Sequence, residues 1–526
     1  MKIFEVDLVT LAKFTVFIPF AAGVIGIVCL LLPIWRLPRY GRVLDYLTVI
    51  ASFFSFLLSI FMALSPPTEA LHFSFGGVGF LIDALSLYFI LLVNVIAFVA
   101  SWSAVGYREG ILTGGRRQSP VFFHTLVNFF HVTMLLVPLV DNLIALWIAI
   151  ESTTLVSTLL VSFQGKKNSW EAAWKYLIIT STGIIFALLG TMFLANAAKN
   201  LIPTIEGDPN QVMNWTFLLQ HAKELSPDFV KLSFLFVLVG YGTKAGFAPM
   251  HTWLPDGHGE APAPISALLS GVLLKCALYA ILRFYTITNA VLNDAQFTST
   301  ILLGSGLFSL ILATPFILKE NRFKRVLAYH SLEHMGIITF GIGIGGPVAL
   351  FGALLHTLNH AITKALMFLS FGNIQNQYGQ TEVTGVLRSM PWTGAILTLG
   401  GLALVGSPPF NIFMSEFIIL WGALANLNLG GASSAVPVNM PQWIVIAAII
   451  LFILSTTLIF YGLVRHLARL VLHKTVADQK LKESFTELTP LIFLFVVAFL
   501  FGLKVWPPID NLIDKSVEII LFMKNQ

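Results

Sequence analysis

Long apolar runs recur along the whole sequence, separated by short polar connections. A helix needs roughly 20 mostly apolar residues to cross a bilayer. That criterion predicts fourteen spans, at about 11–33, 43–64, 80–105, 120–140, 142–163, 171–197, 231–252, 261–287, 298–318, 323–343, 347–372, 392–424, 441–472 and 488–506. A last amphipathic stretch from Pro507 to Gln526, with Asp510, Asp514, Lys515 and Glu518, is expected to lie at the membrane surface. No hydrophilic block is long enough to fold alone, so the pattern reads as one all-α, polytopic membrane domain.

Charge patterning tests that count, because a wrong number of crossings scrambles the sidedness of Lys and Arg. Connections after odd-numbered spans hold Arg36, Arg39 and Arg42; Arg108, Arg116 and Arg117; Lys166 and Lys167; Lys319, Arg322, Lys324 and Arg325; Arg388; and Arg465, Arg469, Lys474, Lys480 and Lys482. Connections after even-numbered spans hold little beyond Lys199, Lys223 and Lys231. The basic side is therefore expected to be cytoplasmic, in a cell inner (plasma) membrane, with both termini on the opposite face. The longest polar connection, 198–230, reads as a solvated linker.

Composition agrees with the pattern: 56% of the 526 residues are hydrophobic and 11% charged, against about a quarter charged in soluble domains. The net charge of +5 sits in short loops, where topology explains it without a nucleic-acid partner. Cys29 and Cys276 both fall inside apolar runs, which argues against disulfides, cysteine-bound zinc and iron–sulfur clusters. The start, MKIFEVD, leads into an apolar run without a small-residue cleavage site, so the first span is expected to remain.

Ionisable residues inside the apolar runs are the candidate chemistry. One charged side chain at the bilayer centre costs on the order of 3 kcal/mol, so such groups face protein or water and are often functional. Glu151 stands in LWIAIESTTLV; Lys175 follows Glu171 by four residues, which puts both on one helix face, either as part of the row or as a pair reaching for the surface. The seventh span, LFVLVGYGTKAGFAPMHTWLP, has Lys244 among Gly240, Gly242 and Gly246 and before Pro249, and is expected to break there. Lys275 in SGVLLKCALYAILRF has no acid within a turn. An amine so placed is costly to keep charged, which brings proton exchange within reach.

His330, Glu333 and His334 in YHSLEHMG occupy neighbouring turns, and His356, His360 and Lys364 recur every four residues along one face. Two His four apart can hold zinc, but Thr357 stands where a zinc helix carries Glu and Lys364 would repel a cation, so no metal is expected. A relay of His and Lys fits better. Pro408 and Pro409 break the twelfth span two turns before Glu416. Two interrupted spans five apart, each with an ionisable residue by the break, are the mark of inverted repeats in transporters. Asp83 reads as a cap or interfacial residue, His124 and His131 as packing. GIGIGG at 341–346 follows a helix rather than a strand, so no nucleotide site is expected, and no nucleophilic triad is present.

GYGTKAGFAPMHTWLPDGHGEAPAPISALLSGVLLKCALYAILRF and HTLNHAITKALMFLSFGNI resemble the antiporter-like subunits of respiratory complex I, multisubunit Na⁺/H⁺ antiporters and membrane-bound hydrogenases. AYHSLEHMG and the short ending look most like hydrogenase-4 component F, of formate hydrogenlyase type. The resemblance implies N-terminal spans 1–3 (1–115), two inverted five-span repeats, spans 4–8 (116–290) and 9–13 (291–475), and a last span with an amphipathic tail (476–526). It implies a proton path through Glu151, Lys175, Lys244, Lys275, His356, His360, Lys364 and Glu416, with Glu151 and Lys244 as central pair; Glu333 and His334 are expected to join it as buried ionisable residues on neighbouring turns. A cofactor in this chain and catalysis by this chain alone are not expected. Implied partners are other membrane subunits, a peripheral redox or zinc-containing module, the bilayer and protons, or Na⁺. Coupling to Na⁺ or inorganic-carbon uptake, and a structural scaffold whose charges merely pair, are the alternatives.

Overall fold

The computed structural model describes residues 7–32, 38–106, 119–204, 209–379, 383–427, 440–473, 481 and 483–522. Both termini and the basic residues Arg36, Arg108, Arg116, Arg117, Lys474, Lys480 and Lys482 lie outside them. The helices are α1 (Leu8–Leu31), α2 (Pro38–Leu64), α3 (Ala84–Gly106), α4 (Pro120–Leu136), α5 (Leu143–Val161), α6 (Lys167–Ala197), α7a (Pro227–Ala245), α7b (Trp253–Glu260) and α8 (Ala263–Leu292). There follow α9 (Gln296–Lys319), α10 (Phe323–Ile344), α11 (Gly346–Tyr378), α12a (Pro391–Leu404), α12b (Asn411–Ala425), α13 (Gln442–Leu472), α14 (Phe485–Leu503) and α15 (Pro507–Leu521). Among the described residues nine helices, α1, α2, α3, α5, α6, α8, α9, α13 and α14, are long and apolar enough to cross a membrane.

The other predicted spans fall on α4, which is short, on the broken pairs α7a/α7b and α12a/α12b, and on α10 and α11, which carry the His, Lys and Glu residues. Shortness, the breaks and the ionisable residues explain the difference, since α3 and α8 are as buried as α10 and α11 and still qualify. Every residue from Ala261 to Thr288 is buried, as is nearly all of α3, α10 and α11. These helices meet protein on all sides and tolerate polar groups that lipid would not. The peripheral helices invert the soluble pattern. α13 turns small residues Ala448, Ser455 and Gly462 inward at helical spacing and leaves Trp443, Ile450, Leu454 and Tyr461 exposed, a face suited to hydrocarbon and close helix packing.

Both broken helices end alike. At α7a, Phe247 N–H reaches Gly242 O at 2.8 Å and Gly246 N–H reaches Thr243 O at 3.2 Å. At α12a, Ser407 N–H reaches Leu402 O at 3.0 Å and Gly406 N–H reaches Ala403 O at 3.2 Å. Each is the paired closure of a helix by a left-handed residue. Gly246 (φ +78°) and Gly406 (φ +69°) supply it, and cis peptides Ala248–Pro249 and Pro408–Pro409 follow at the same offset. A third irregularity, one widened turn at Leu269–Leu273, precedes Lys275 in α8.

Two features depart from the sequence reading. The third span starts later than expected, because β1 (Leu71–Phe75) and β2 (Val78–Ile82) form an antiparallel hairpin around Gly76 and Gly77, and Asp83 caps α3 by accepting from Ser86 N–H at 2.8 Å. The connection read as a solvated linker is packed: Trp215 and Leu218 are buried, Trp215 Nε1 donates to Arg283 O at 2.9 Å, and Thr216 Oγ1 donates to Asp141 Oδ2 at 2.7 Å. Its apolar residues and Thr216 close that end of the bundle while Lys223, Glu224 and Asp228 stay exposed, a division that composition alone does not reveal. The tail expectation agrees with α15, too short to cross, whose Leu512, Ile513, Ser516 and Ile520 pack inward.

Candidate functional site

The ionisable residues gather into two clusters. In the first, Glu151 on α5 accepts from Ser181 Oγ at 2.7 Å and from Thr154 Oγ1 at 3.2 Å. Lys244, one residue before the end of α7a and 1% exposed, donates from Nζ to the Thr154 hydroxyl at 2.6 Å and to Tyr176 OH at 2.7 Å. Ser157 Oγ completes the set, 2.7 Å from Tyr176 OH. Glu151 and Lys244 are thus joined through a hydroxyl rather than in direct contact. The break fixes this geometry: Gly246 ends the helix, the chain folds back, and Trp253 of α7b donates from Nε1 to Thr243 O at 2.9 Å while its ring packs on Tyr176.

The second cluster lies between α8, α10, α11 and α12b. Lys275 Nζ donates to Ser270 O at 2.5 Å, inside the widened turn, and shares a hydrogen bond with His360 Nδ1 at 2.7 Å. The wider turn frees carbonyls from the helical ladder. The His360 ring stacks on His334 (centroids 4.6 Å), His334 Nδ1 and His356 Nε2 are 2.9 Å apart, and His356 Nδ1 is 3.0 Å from Ser415 Oγ. His330 Nδ1 and Glu333 Oε2 are 2.6 Å apart, and Lys364 Nζ donates to Leu327 O. Glu416 closes the row: its carboxylate lies with ligand atoms of His334 and His356 within 4.8 Å of one another and reaches back to Gly406 at the break.

Lys175 does not join either cluster. It is half-exposed and paired with Glu171 at 2.7 Å and Asp256 at 3.2 Å, the surface-reaching alternative. His124 and His131 pair with Asp45 (2.9 Å) and with Asn94 (2.8 Å) instead of the lysines. Asp83 forms a buried ion pair with Arg283, Oδ2 to Nη1 at 2.7 Å and Oδ1 to Nη2 at 2.8 Å.

Between the clusters runs a line that the sequence reading missed. Lys244 sits over the Tyr176 ring, Tyr176 packs on Trp253, Trp253 and Phe368 flank the ring of His258 at 5.9 and 5.7 Å, and Lys364 lies over Phe368. His258 is wholly buried, and neither ring nitrogen has a hydrogen-bond partner among the described residues. Cys276 stands within electrostatic reach of both Lys244 and Lys275. Buried polar groups left unpaired cost about 1–3 kcal/mol each.

Interrupted helices around buried carboxylates, amines and imidazoles, in a bundle with an apolar outer face, define an antiporter-like membrane subunit. Residues 140–437 match the NADH:quinone oxidoreductase/Mrp antiporter transmembrane family, and the chain belongs to that family. It is 39% identical over 403 residues to the hydrogenase-4 component F homolog of Methylacidiphilum infernorum, covering 75% of this chain and 82% of that one. The fold is similar to a chain of an archaeal membrane-bound sulfane sulfur reductase, a respiratory membrane complex (TM-score 0.80, 21% identity, 97% of each chain). It is likewise similar to a chain of respiratory complex I from Thermus thermophilus with bound NADH (TM-score 0.76, 21% identity, 97% of this chain and 99% of that one).

Proposed function

We propose that this chain translocates protons as the antiporter-like subunit of a redox-linked complex of group 4 hydrogenase or complex I-like kind, all fourteen predicted spans crossing, with spans 4–8 and 9–13 as two inverted repeats between the first three and the last. The matching closures at Gly246 and Gly406 support the repeats. Basic sidedness supports a cytoplasmic basic face, with both termini opposite. The chemistry that drives transport is supplied by partner subunits and a peripheral module; this chain needs no cofactor or metal for its part.

One observation carries the reading: costly ionisable groups are held within hydrogen-bonding or stacking reach of one another, Glu151–Thr154–Lys244 on one side and Lys275–His360–His334–His356 with Glu416 on the other. Protonated Lys244 is stabilised by the Glu151 charge through Thr154. Neutralising Glu151 raises the cost of that charge and drives the proton onward, through water beside His258 or Cys276, to Lys275 and the histidines. Proton uptake by vesicles of the intact complex tests this. Glu151→Gln and Lys244→Ala should each cut pumping at least about tenfold with assembly retained, a loss of the size expected for one positioned proton-transfer group; normal pumping in both rejects the reading. The alternative is coupling to Na⁺ or inorganic-carbon uptake; the family's description names an antiporter beside an oxidoreductase. Co-purification separates the two: hydrogenase and iron–sulfur proteins for the first, a zinc protein without redox centres for the second.

A further inference from the structure

At the last turns of α13 two stripes of residues run side by side. Arg465, Ala468, Arg469, Leu472 and His473 recur at the spacing of one helix face and, with Lys319 and Asn321 at the end of α9, enclose an open cavity of about 660 Å³. Val464, Leu467, Ala468, Val471 and Leu472 form the adjoining face and, opposite α12a residues such as Leu399 and Leu402, line an apolar groove of about 440 Å³. Ala468 and Leu472 belong to both, so the basic cavity opens directly into the groove.

Arg322 and Arg325 nearby are engaged by Glu260, Asp256 and Glu320. Among the described residues no carboxylate pairs with Lys319, Arg465 or Arg469. His466 Nε2 donates to Ile317 O, 2.9 Å away, and locks α13 to α9 at the rim. Membrane sidedness and the helix dipole account for basic residues at a helix end; they do not account for an apolar trough leading out of the same cavity. From Leu472 back to Val464 the trough follows α13 for about 12 Å, the course of a chain descending into hydrocarbon from a head group at the surface.

We propose that this cavity and groove bind one anionic phospholipid, its phosphate held by Lys319, Arg465 and Arg469 and one acyl chain lying between α12a and α13. Basic pockets between helices at a cytoplasmic membrane edge are suited to such head groups. A free phosphate would occupy only the cavity and leave the groove unused.

The intact complex containing this chain, reconstituted in phosphatidylcholine discs with or without a minor fraction of phosphatidylglycerol or cardiolipin, tests the proposal by native mass spectrometry of retained lipid and by thermal unfolding. The anionic lipid should be retained and should raise the unfolding temperature. Arg465→Gln/Arg469→Gln should weaken that preference about thirty-fold, from the usual attraction of two surface cations. Ala468→Phe, which fills the junction but keeps every charge, should also lose the lipid, and it carries the comparison if the double variant fails to assemble. Inorganic phosphate should give no stabilisation. Equal retention of both lipids, undiminished retention in both variants, or the same stabilisation by inorganic phosphate overturns the proposal. None of these outcomes depends on whether protons move through the row.

Discussion

Between Glu151 and Lys244 stands the hydroxyl of Thr154, and such small polar residues escape a reading of the sequence. An acid or amine in an apolar run is an outlier; a Thr or Ser there is ordinary, since its hydroxyl usually returns to a carbonyl one turn back, as that of Thr180 does to Tyr176 O. Thr154, Tyr176, Ser181, Ser270 and Ser415 therefore stayed unread although they join the charges. Thr154→Val keeps the shape and removes the bridge. It should slow proton uptake several-fold with assembly intact; uptake unchanged within error would show the bridge to be dispensable. His258 was hidden for another reason: PDGHGE looks like a polar connection, whereas α7b folds it inside. His258→Gln, which hydrogen-bonds but does not titrate near neutral pH, should lower pumping while Lys175→Gln, at the surface, should leave it within about twofold. Lys175 stayed open between two readings because spacing fixes a helix face but not whether the Asp256 beyond the break draws the amine outward.

At the level of elements, the breaks in α7 and α12 were legible because Gly and Pro cluster there and disrupt helices by known means, while the widened turn before Lys275 carries only Gly271, and one glycine in an apolar run does not mark a break. The hairpin was lost because GFLI merges with the apolar run of α3. Gly406→Ala forces a side chain into left-handed backbone, about 1–2 kcal/mol, and its methyl would lie 2.4 Å from Glu416 Oε2; a lower unfolding temperature together with reduced pumping is expected. The Asp83–Arg283 pair fastens the start of α3 to α8. Asp83→Asn leaves a buried guanidinium uncompensated, a cost of about 3–5 kcal/mol, visible as poor assembly. A partial rescue by adding Arg283→Met would show that charge, not shape, is responsible.

For the whole molecule, the apolar runs located the long helices, whereas a stricter length-and-apolarity criterion keeps the buried α3 and α8 but passes over α10 and α11, whose middles carry His, Lys and Glu. α15 closes the bundle with Asp514 beside Asp510 and Glu518. Partial burial, then those two acids, raise the Asp514 pKa above the usual carboxylate value, so the charged form opposes docking near neutral pH and the opposition fades as pH falls through the raised value. Asp514→Asn should raise the unfolding temperature by about a degree or two at pH 7 and by less in acid; an unchanged difference across that range would reject this account.

The row is not equally enclosed. Glu333 is buried, whereas Glu151 and Glu416 are only partly covered within this chain. A lipid-soluble carbodiimide, which adds to protonated carboxyls it meets within the bilayer and leaves them as N-acylureas, would accordingly modify the two terminal acids of an isolated subunit and spare Glu333, and protection of either one in the assembled complex would reveal which flank a neighbouring subunit covers.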